Sequence, residues 1–343
     1  MPGTRKKPRP KGGASTFVLV NMPIPTKLLT AVGFVQSLAL RLGLILLAVF
    51  VIGGVLAWHY KLPALAWYWF NMRNHEQEWA LKGVWLPAYQ VAIDGEPIVG
   101  IKDNMSGATY NPDTGTLFTV INAPPQVVEL TTQGRLLRLI PIKGAGDPEG
   151  ISHVEGDRYV LADERDQQLH WVRIGPETTE IDMAGTPTLG LAIDLGKNIG
   201  FEGVSWDYVG QRLYVAKEKC PLRVLEISGL PDLLNGDGMN LQIREWKSST
   251  AWTLFMTDLS SLTLHEATGN ILLLSHESQL IVEYAPDGMP VSILPLWKDW
   301  HGLRQAVPQA EGIAVGTDGT LFILSEPNLF YRFERSSPAD WAR

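Results

Sequence analysis

The chain has 343 residues, enough for one large or two ordinary domains, and its 45% hydrophobic and 19% charged content excludes a disordered polymer. With 33 Gly and 23 Pro it reads as turn-rich and strand-rich, and a single cysteine, Cys220, excludes an intrachain disulfide. The formal charge of −7 is unevenly spread: residues 1–41 hold seven Lys or Arg and no acid, which leaves −14 on residues 42–343 and disfavours nucleic acid as a partner.

In chain order, residues 1–37 read as a basic cytoplasmic tail and residues 38–60 as a transmembrane helix. The run "LGLILLAVFVIGGVLAW" (42–58) carries no charge, and it reaches back to about Leu38 if Arg41 snorkels. A helix of ~20 residues crosses the ~30 Å hydrocarbon layer. Trp58, Tyr60, Trp67, Tyr68 and Trp69 supply the aromatic clustering of a membrane interface. A cleaved signal peptide competes, helped by small residues around Val55 and Ala57. The apolar core, however, exceeds the usual ~7–15 residues. The basic flank precedes the span, whereas Lys61, Arg73 and Lys82 after it are diluted by Glu76 and Glu78. The positive-inside rule then keeps the N-terminus cytoplasmic. In a bacterium this makes a single-pass protein of the inner (plasma) membrane with a periplasmic body. Residues 61–84 read as a juxtamembrane linker.

From residue 85 the chain repeats. "NMSGATYNPDTGTLFTVIN" (104–122), "DPEGISHVEGDRYVLADE" (147–164), "GFEGVSWDYVGQRLYVAKE" (200–218), "DLSSLTLHEATGNILLLSHE" (258–277) and "QAEGIAVGTDGTLFILSEP" (309–327) align on Ser106, Glu149, Glu202, Ser260 and Glu311. Each unit has an alternating run, a Gly-bearing turn and a second strand of branched and aromatic residues. Third strands follow as "QVVELT", "QLHWVRI", "LRVLEI", "LIVEYA" and "LFYRF", and fourth strands as "RLLRLIPI", "TEIDMA", "LQIREW" and "PVSILPL". The spacing suits one four-stranded propeller blade per unit. The fifth unit lacks a fourth strand, and "WLPAYQVAI" (85–93) is the natural donor, closing the ring and removing an open edge. The expectation is an all-β, five-bladed β-propeller over 85–335, preceded by the transmembrane helix and followed by a tail at 336–343. A six-bladed alternative hides a degenerate blade in 219–257.

The "EGI"/"EGV" starts and the second strand ending in an acid resemble the SdiA-regulated family, NHL-like repeat propellers, over about residues 104–335. The resemblance implies a five-bladed propeller behind an N-terminal anchor, with a calcium ion bound in the propeller.

If the aligned residue opens the innermost strand of each blade, Glu149, Glu202 and Glu311 converge on one axis with Ser106 and Ser260. The Gly that follows most of them allows close backbone packing there. Three carboxylates in a narrow channel repel, which raises their pKa values unless a cation compensates. An oxygen-only set without Cys or clustered His suits calcium and argues against zinc. Any one of these Glu could instead serve a strand-entry turn. A second set, Asn122, Glu164, Glu218, Glu277 and Glu326, follows the second strands as a candidate ligand-facing rim. Arg165, Lys217, Lys219 and His276 stand beside it and could neutralise it locally. "LNGDGMN" (234–240) fails the spacing of a calcium loop and reads as a turn.

No G-x-S-x-G elbow, H-E-x-x-H or P-loop is present, despite His-Glu pairs at 75–76, 265–266 and 276–277. The leading expectation is a membrane-anchored, calcium-binding propeller that recognises an envelope ligand or protein. A calcium-dependent ester or lactone hydrolase and a metal-free structural scaffold are the alternatives.

Overall fold

The computed structural model describes Gly3 and residues 26–191, 200–219, 221–238 and 240–336, with the backbone alone for 26–39. Cys220, most of the basic tail and residues 337–343 lie outside the described residues. Two compact units divide near residue 56, an N-terminal helical unit and the body from Ala57 onward.

The first unit holds most of helix α1 (Thr26–His59), whose stretch Leu40–His59 is long and apolar enough to cross a membrane. The expected juxtamembrane stretch, 61–84, contains two further helices, α2 (Leu62–Asn74) and α3 (Glu76–Lys82).

The body is a five-bladed propeller. Blade I is Met105–Asn111, Thr116–Asn122, Pro125–Leu130 and Leu136–Lys143. Blade II is Pro148–Glu155, Arg158–Asp163, Gln168–Arg173 and Thr188–Gly190. Blade III is Phe201–Asp207, Arg212–Lys217, Arg223–Ser228 and Gln242–Ser248. Blade IV is Ser261–His265, Asn270–Ser275, Leu280–Tyr284 and Pro290–Pro295. Blade V is Gln309–Val315, Leu321–Glu326, Leu329–Arg335 and, as its outer strand, Tyr89–Pro97.

That last pairing closes the ring. Tyr89 lies opposite Arg335 and Pro97 opposite Leu329 in an antiparallel ladder, although about 240 residues separate them in sequence. The closing strand begins later than expected, because Leu86–Ala88 forms a turn of 3₁₀-helix. Upstream, the backbone N–H of Val84 and of Trp85 donate to the Glu283 carboxylate at 2.6 and 3.1 Å, which pins the incoming chain to blade IV.

Two details differ from expectation. "TEIDMA" is not the outer strand of blade II: Ile181–Asp182 instead pairs in parallel with Ile142 and Lys143 of blade I. Ile181 and Met183 are buried beside Ile142, and that burial outweighs continuity with their own blade. Nor does 219–257 hide a blade; it carries the third and fourth strands of blade III with a short helix α4 (Leu230–Asn235) between them.

The strands read as nearly continuous apolar runs because both faces of every sheet are covered. Each blade–blade seam has its own apolar cluster. On the second strand of blade II, Tyr159 and Leu161 pack toward blade I, while Val160 and Ala162 pack toward blade III. Alternation along a strand therefore separates two seams instead of separating core from water. At the seam between blades III and IV, α2 adds Ala64, Tyr68 and Met72, spaced four residues apart on one helix face. Tyr68 stacks on Phe255 at 5.6 Å.

Candidate functional site

Around the axis, the first strand of each blade packs against that of the next. Glycine permits the approach: a Cβ on Gly150 would lie 2.9 Å from the Glu202 carbonyl oxygen, and one on Gly203 would lie 2.8 Å from the Leu262 nitrogen. The same closeness recurs between Gly312 and Gly107 and between Gly107 and the Glu149 carbonyl. Blade IV has Ser261 where the others have Gly, and there the Ser260 hydroxyl donates to the Ala310 carbonyl at 2.7 Å. In blade I the Ser106 hydroxyl donates to the Glu149 carbonyl at 2.8 Å. Both serines are buried, and both act as fasteners between blades.

Glu149, Glu202 and Glu311 occupy the matching positions in blades II, III and V. Second strands run antiparallel to first strands, so the second set of expected residues returns to the same mouth. Asn122 donates to Glu149 Oε1 at 2.7 Å. Glu164 accepts from the Gly200 backbone N–H at 3.2 Å. Lys219 bridges Glu218 at 2.9 Å and Glu277 at 2.7 Å. Burial holds Glu326 above the usual carboxylate range, and the Glu311 charge pushes it the same way. The two rings form one acidic mouth.

Within it the charges are unevenly compensated. Glu311 faces His276 at 3.3 Å, and His276 also meets the fully buried Asp258 at 3.0 Å. Asp258 first and Glu311 second raise the imidazole to about 10, so His276 is a cation here. Against the upward push of burial, His276 and neighbouring donors hold Asp258 below its ordinary value. On the other side, among the described residues, no cation of this kind intervenes. Burial raises the Glu149 carboxyl to about 8. It raises Glu202 well above the usual range, and the charges of Glu149, Glu164, Glu218 and Glu311 add to the effect. Glu164 is raised by burial and by Asp147.

One carboxylate oxygen each from Asp147, Glu149 and Glu164 lies within 4.8 Å of the others. Oxygens bound to one calcium ion at ~2.4 Å lie no more than ~4.8 Å apart, so these three are close enough to share an ion. The donors are hard oxygens, and while Glu149 is buried, Asp147 and Glu164 are partly open to water that could complete a shell. Arg165, 3.2 Å from Asp147, is the competing charge.

Asp147, Asp258 and the bridging role of His276 were not read from the sequence. A signal existed: Asp147 and Asp258 both stand two residues before the aligned position, as Asn104 does in blade I.

The opposite end of the inner strands encloses a second feature, a cavity of about 420 Å³. Three residues after the aligned position stand Thr109, Ser152 and Ser205, whose hydroxyls accept the backbone N–H of His153, Trp206 and Leu264 at 3.1, 2.9 and 3.0 Å. Burial lowers the pKa of His153 and His265, which leaves neutral imidazoles among Trp206, Tyr208 and Glu266 on its wall. Glu266 lies at this end, away from the acidic mouth.

Fold and mouth together define a closed five-bladed propeller with a carboxylate-lined axial opening, carried behind one apolar helix. The chain belongs to the SdiA-regulated family, whose model matches residues 81–334. Among solved structures it resembles the glutaminyl cyclase of Myxococcus xanthus at 13% identity, TM-score 0.46, over 72% of this chain and 95% of that one. It also resembles regucalcin, a calcium-binding protein of Agrobacterium tumefaciens, at 13% identity, TM-score 0.45, over 71% of this chain and 92% of that one. Virginiamycin B lyase of Staphylococcus aureus aligns at 12% identity, TM-score 0.37, over 69% and 68%. Likenesses this distant carry no argument about function.

Proposed function

We propose that the protein is a membrane-anchored, extracytoplasmic, calcium-binding propeller that serves as a ligand- or protein-binding module of the cell envelope. The observation that carries the reading is the convergence of Asp147, Glu149 and Glu164 at the axial mouth, with Glu202 raised by the same group and no cation among the described residues pairing Glu149. Such an arrangement raises the free energy of the empty, ionised site, and a divalent cation relieves it. Asp147, Glu149 and Glu164 would hold the ion, with Glu202 contributing charge. Calcium suits the oxygen-only donors, and magnesium's smaller, stricter octahedral shell suits them less. Bound there, the ion would supply a fixed positive centre at the mouth for an anionic or carbonyl-bearing partner.

The anchor is supported by the apolar span Leu40–His59, uncharged from 42 to 58, and by the basic excess before it, which favours a cytoplasmic N-terminus and a periplasmic propeller in a bacterium. The test uses the full chain in lipid nanodiscs, stripped of metal. Calorimetric titration should show calcium taken up by wild type and not by Glu149→Gln, with magnesium weaker. No uptake by wild type would return the protein to the metal-free scaffold reading. A reporter active only outside the cytoplasm, fused after Arg343, should be active; inactivity would reverse the orientation.

A further inference from the structure

Helix α2 is apolar on the side turned away from the propeller as well as on the side that packs against it. Ala64, Tyr68 and Met72 are buried in the seam between blades III and IV. Between Leu62 and Phe70 the exposed residues are Leu62, Pro63, Ala66, Trp67 and Phe70, and none of them is polar. Trp67 is 59% and Phe70 62% exposed. A surface helix normally carries polar residues on its outer face, and one that is apolar all round is covered on all sides. Polar residues reach this face only in the last turn, at Arg73 and Asn74.

The apolar surface extends past the helix. Trp69 meets Trp300 edge-on at 5.5 Å, and Trp58 packs on Trp252 at 5.9 Å; Trp300 and Trp252 are both exposed. Two hydrogen bonds from Lys61 Nζ, to the carbonyls of Ser249 and Leu254 at 2.6 Å each, fix the start of α2 to the loop that bears Trp252. The helix is therefore part of the propeller's rigid surface and not a loose tether.

What covers this face is indicated by where the chain comes from. The candidate span ends at His59, and α2 begins at Leu62. A helix that starts three residues after a membrane span lies at the level of the lipid headgroups, where Trp and Phe partition and a flanking Arg meets phosphate. We propose that the outer face of α2, with Trp252 and Trp300, is embedded in the membrane–water interface, so that the propeller is seated on the bilayer in one orientation. The proposal rests on the anchor reading, and the following test separates the two.

Spin labels are placed one at a time, in the full chain carrying Cys220→Ser and reconstituted in nanodiscs, by Trp67→Cys, Phe70→Cys, Phe50→Cys and Val99→Cys. Collisional relaxation by oxygen and by a water-soluble nickel chelate reports depth. Labels at 67 and 70 should show several-fold more oxygen than nickel accessibility. The label at 50, inside the span, should show a larger ratio, and the label at the exposed propeller residue Val99 should behave as in water. If 50 reads as lipid while 67 and 70 match 99, the seated propeller is refuted and the anchor stands. If 50 also reads as water, the anchor fails and the proposal falls with it. A disulfide formed between two Phe70→Cys chains, with labels at 67 and 70 shielded from both reagents, would assign the face to a second copy of the chain and overturn the proposal. All four substituted residues are exposed, and an unchanged melting temperature checks that each variant is folded.

Discussion

Calcium binding at the axial mouth should be coupled to release of a proton, and Glu149 sets the size of the coupling. Burial raises its carboxyl from 4.5 to about 8. Each tenfold change in proton affinity is worth about 1.4 kcal/mol, so the fully ionised group costs the folded, metal-free protein on the order of 5 kcal/mol. The sign follows from linkage. Below pH 4.5 Glu149 is protonated in both states and contributes nothing; as pH rises from 4.5 toward 8 only the unfolded chain ionises, and stability falls. Calcium needs the carboxylate. If one proton leaves with a midpoint near 8, apparent affinity at pH 6 is roughly 50-fold weaker than at pH 8, and saturating calcium stabilises by about 2 kcal/mol less. For a domain of this size that is about 5 °C of melting temperature. Thermal unfolding of the full chain at pH 6 and pH 8, with and without calcium, measures the difference directly. Glu149→Gln should raise the metal-free melting temperature at pH 8, leave it unchanged at pH 4, and remove the calcium increment. A calcium increment equal at both pH values would refute a protonated Glu149 in the site, whatever the ion's location.

Three further outcomes test other parts of the structure. His276, raised from 6.5 to about 10 by Asp258 and Glu311, stabilises fully below pH 6.5 and loses that contribution as pH rises through 10. Discounted by about half for solvent screening of the partly exposed imidazole, His276→Gln should therefore cost about 2 kcal/mol at pH 6 and little at pH 10, read from urea unfolding midpoints at the two pH values. Gly203→Ala would drive a Cβ to 2.8 Å from the Leu262 nitrogen and 3.0 Å from Ser261 Cα, backbone atoms that cannot step aside. It should destabilise by about 1–3 kcal/mol in chemical denaturation, and a neutral effect would show that the inner strands are not packed this closely. Deleting Tyr89–Pro97 should expose the edge of Leu329–Arg335 and cause aggregation visible in size-exclusion chromatography, whereas removing residues 1–56 should leave a closed propeller that stays monodisperse in mild detergent.

The ring and its closure were legible because they are written as period and as deficit. The repeat of Gly-bearing turns fixed five units, and the missing fourth strand after Phe333 pointed to a donor near Tyr89. The outer strands were less legible. Ile181–Asp182 has the alternation of a blade strand, and only its burial against Ile142 decides which blade it joins. Pairing partners of short outer strands depend on tertiary packing that propensity does not encode. The mouth was half legible. Equivalent repeat positions identify Glu149, Glu202 and Glu311, but Asp147 and Asp258 stand where other units have Asn, Gly or Gln, and a weaker periodicity hides them. His276 was visible as a neighbour that could neutralise acids, yet its bridge from Asp258 to Glu311 spans two blades and belongs to geometry alone.

The aligned position itself explains why the charge at the mouth is lopsided. Each blade must be fastened to the next at the axis, and the residue there either does this or leaves it to the backbone. Ser106 and Ser260 spend their hydroxyl protons on carbonyls of the following blade. At Glu149 and Glu202 the neighbouring glycines make the close approach, which brings Gly150 against the Glu202 carbonyl and Gly203 against blade IV. The carboxyl groups at this position face the opening, where Glu149 accepts from Asn122 and Glu311 pairs with His276. Blades II and III, adjacent and both bearing Glu, bring their carboxyl groups to one side of the mouth, where Asp147 and Glu164 join them. Blade V bears the remaining Glu, next to the serine blade IV that supplies His276 and Asp258. One side of the mouth is thus paired with His276, and the other, among the described residues, gathers carboxyl groups that the proposed cation would join.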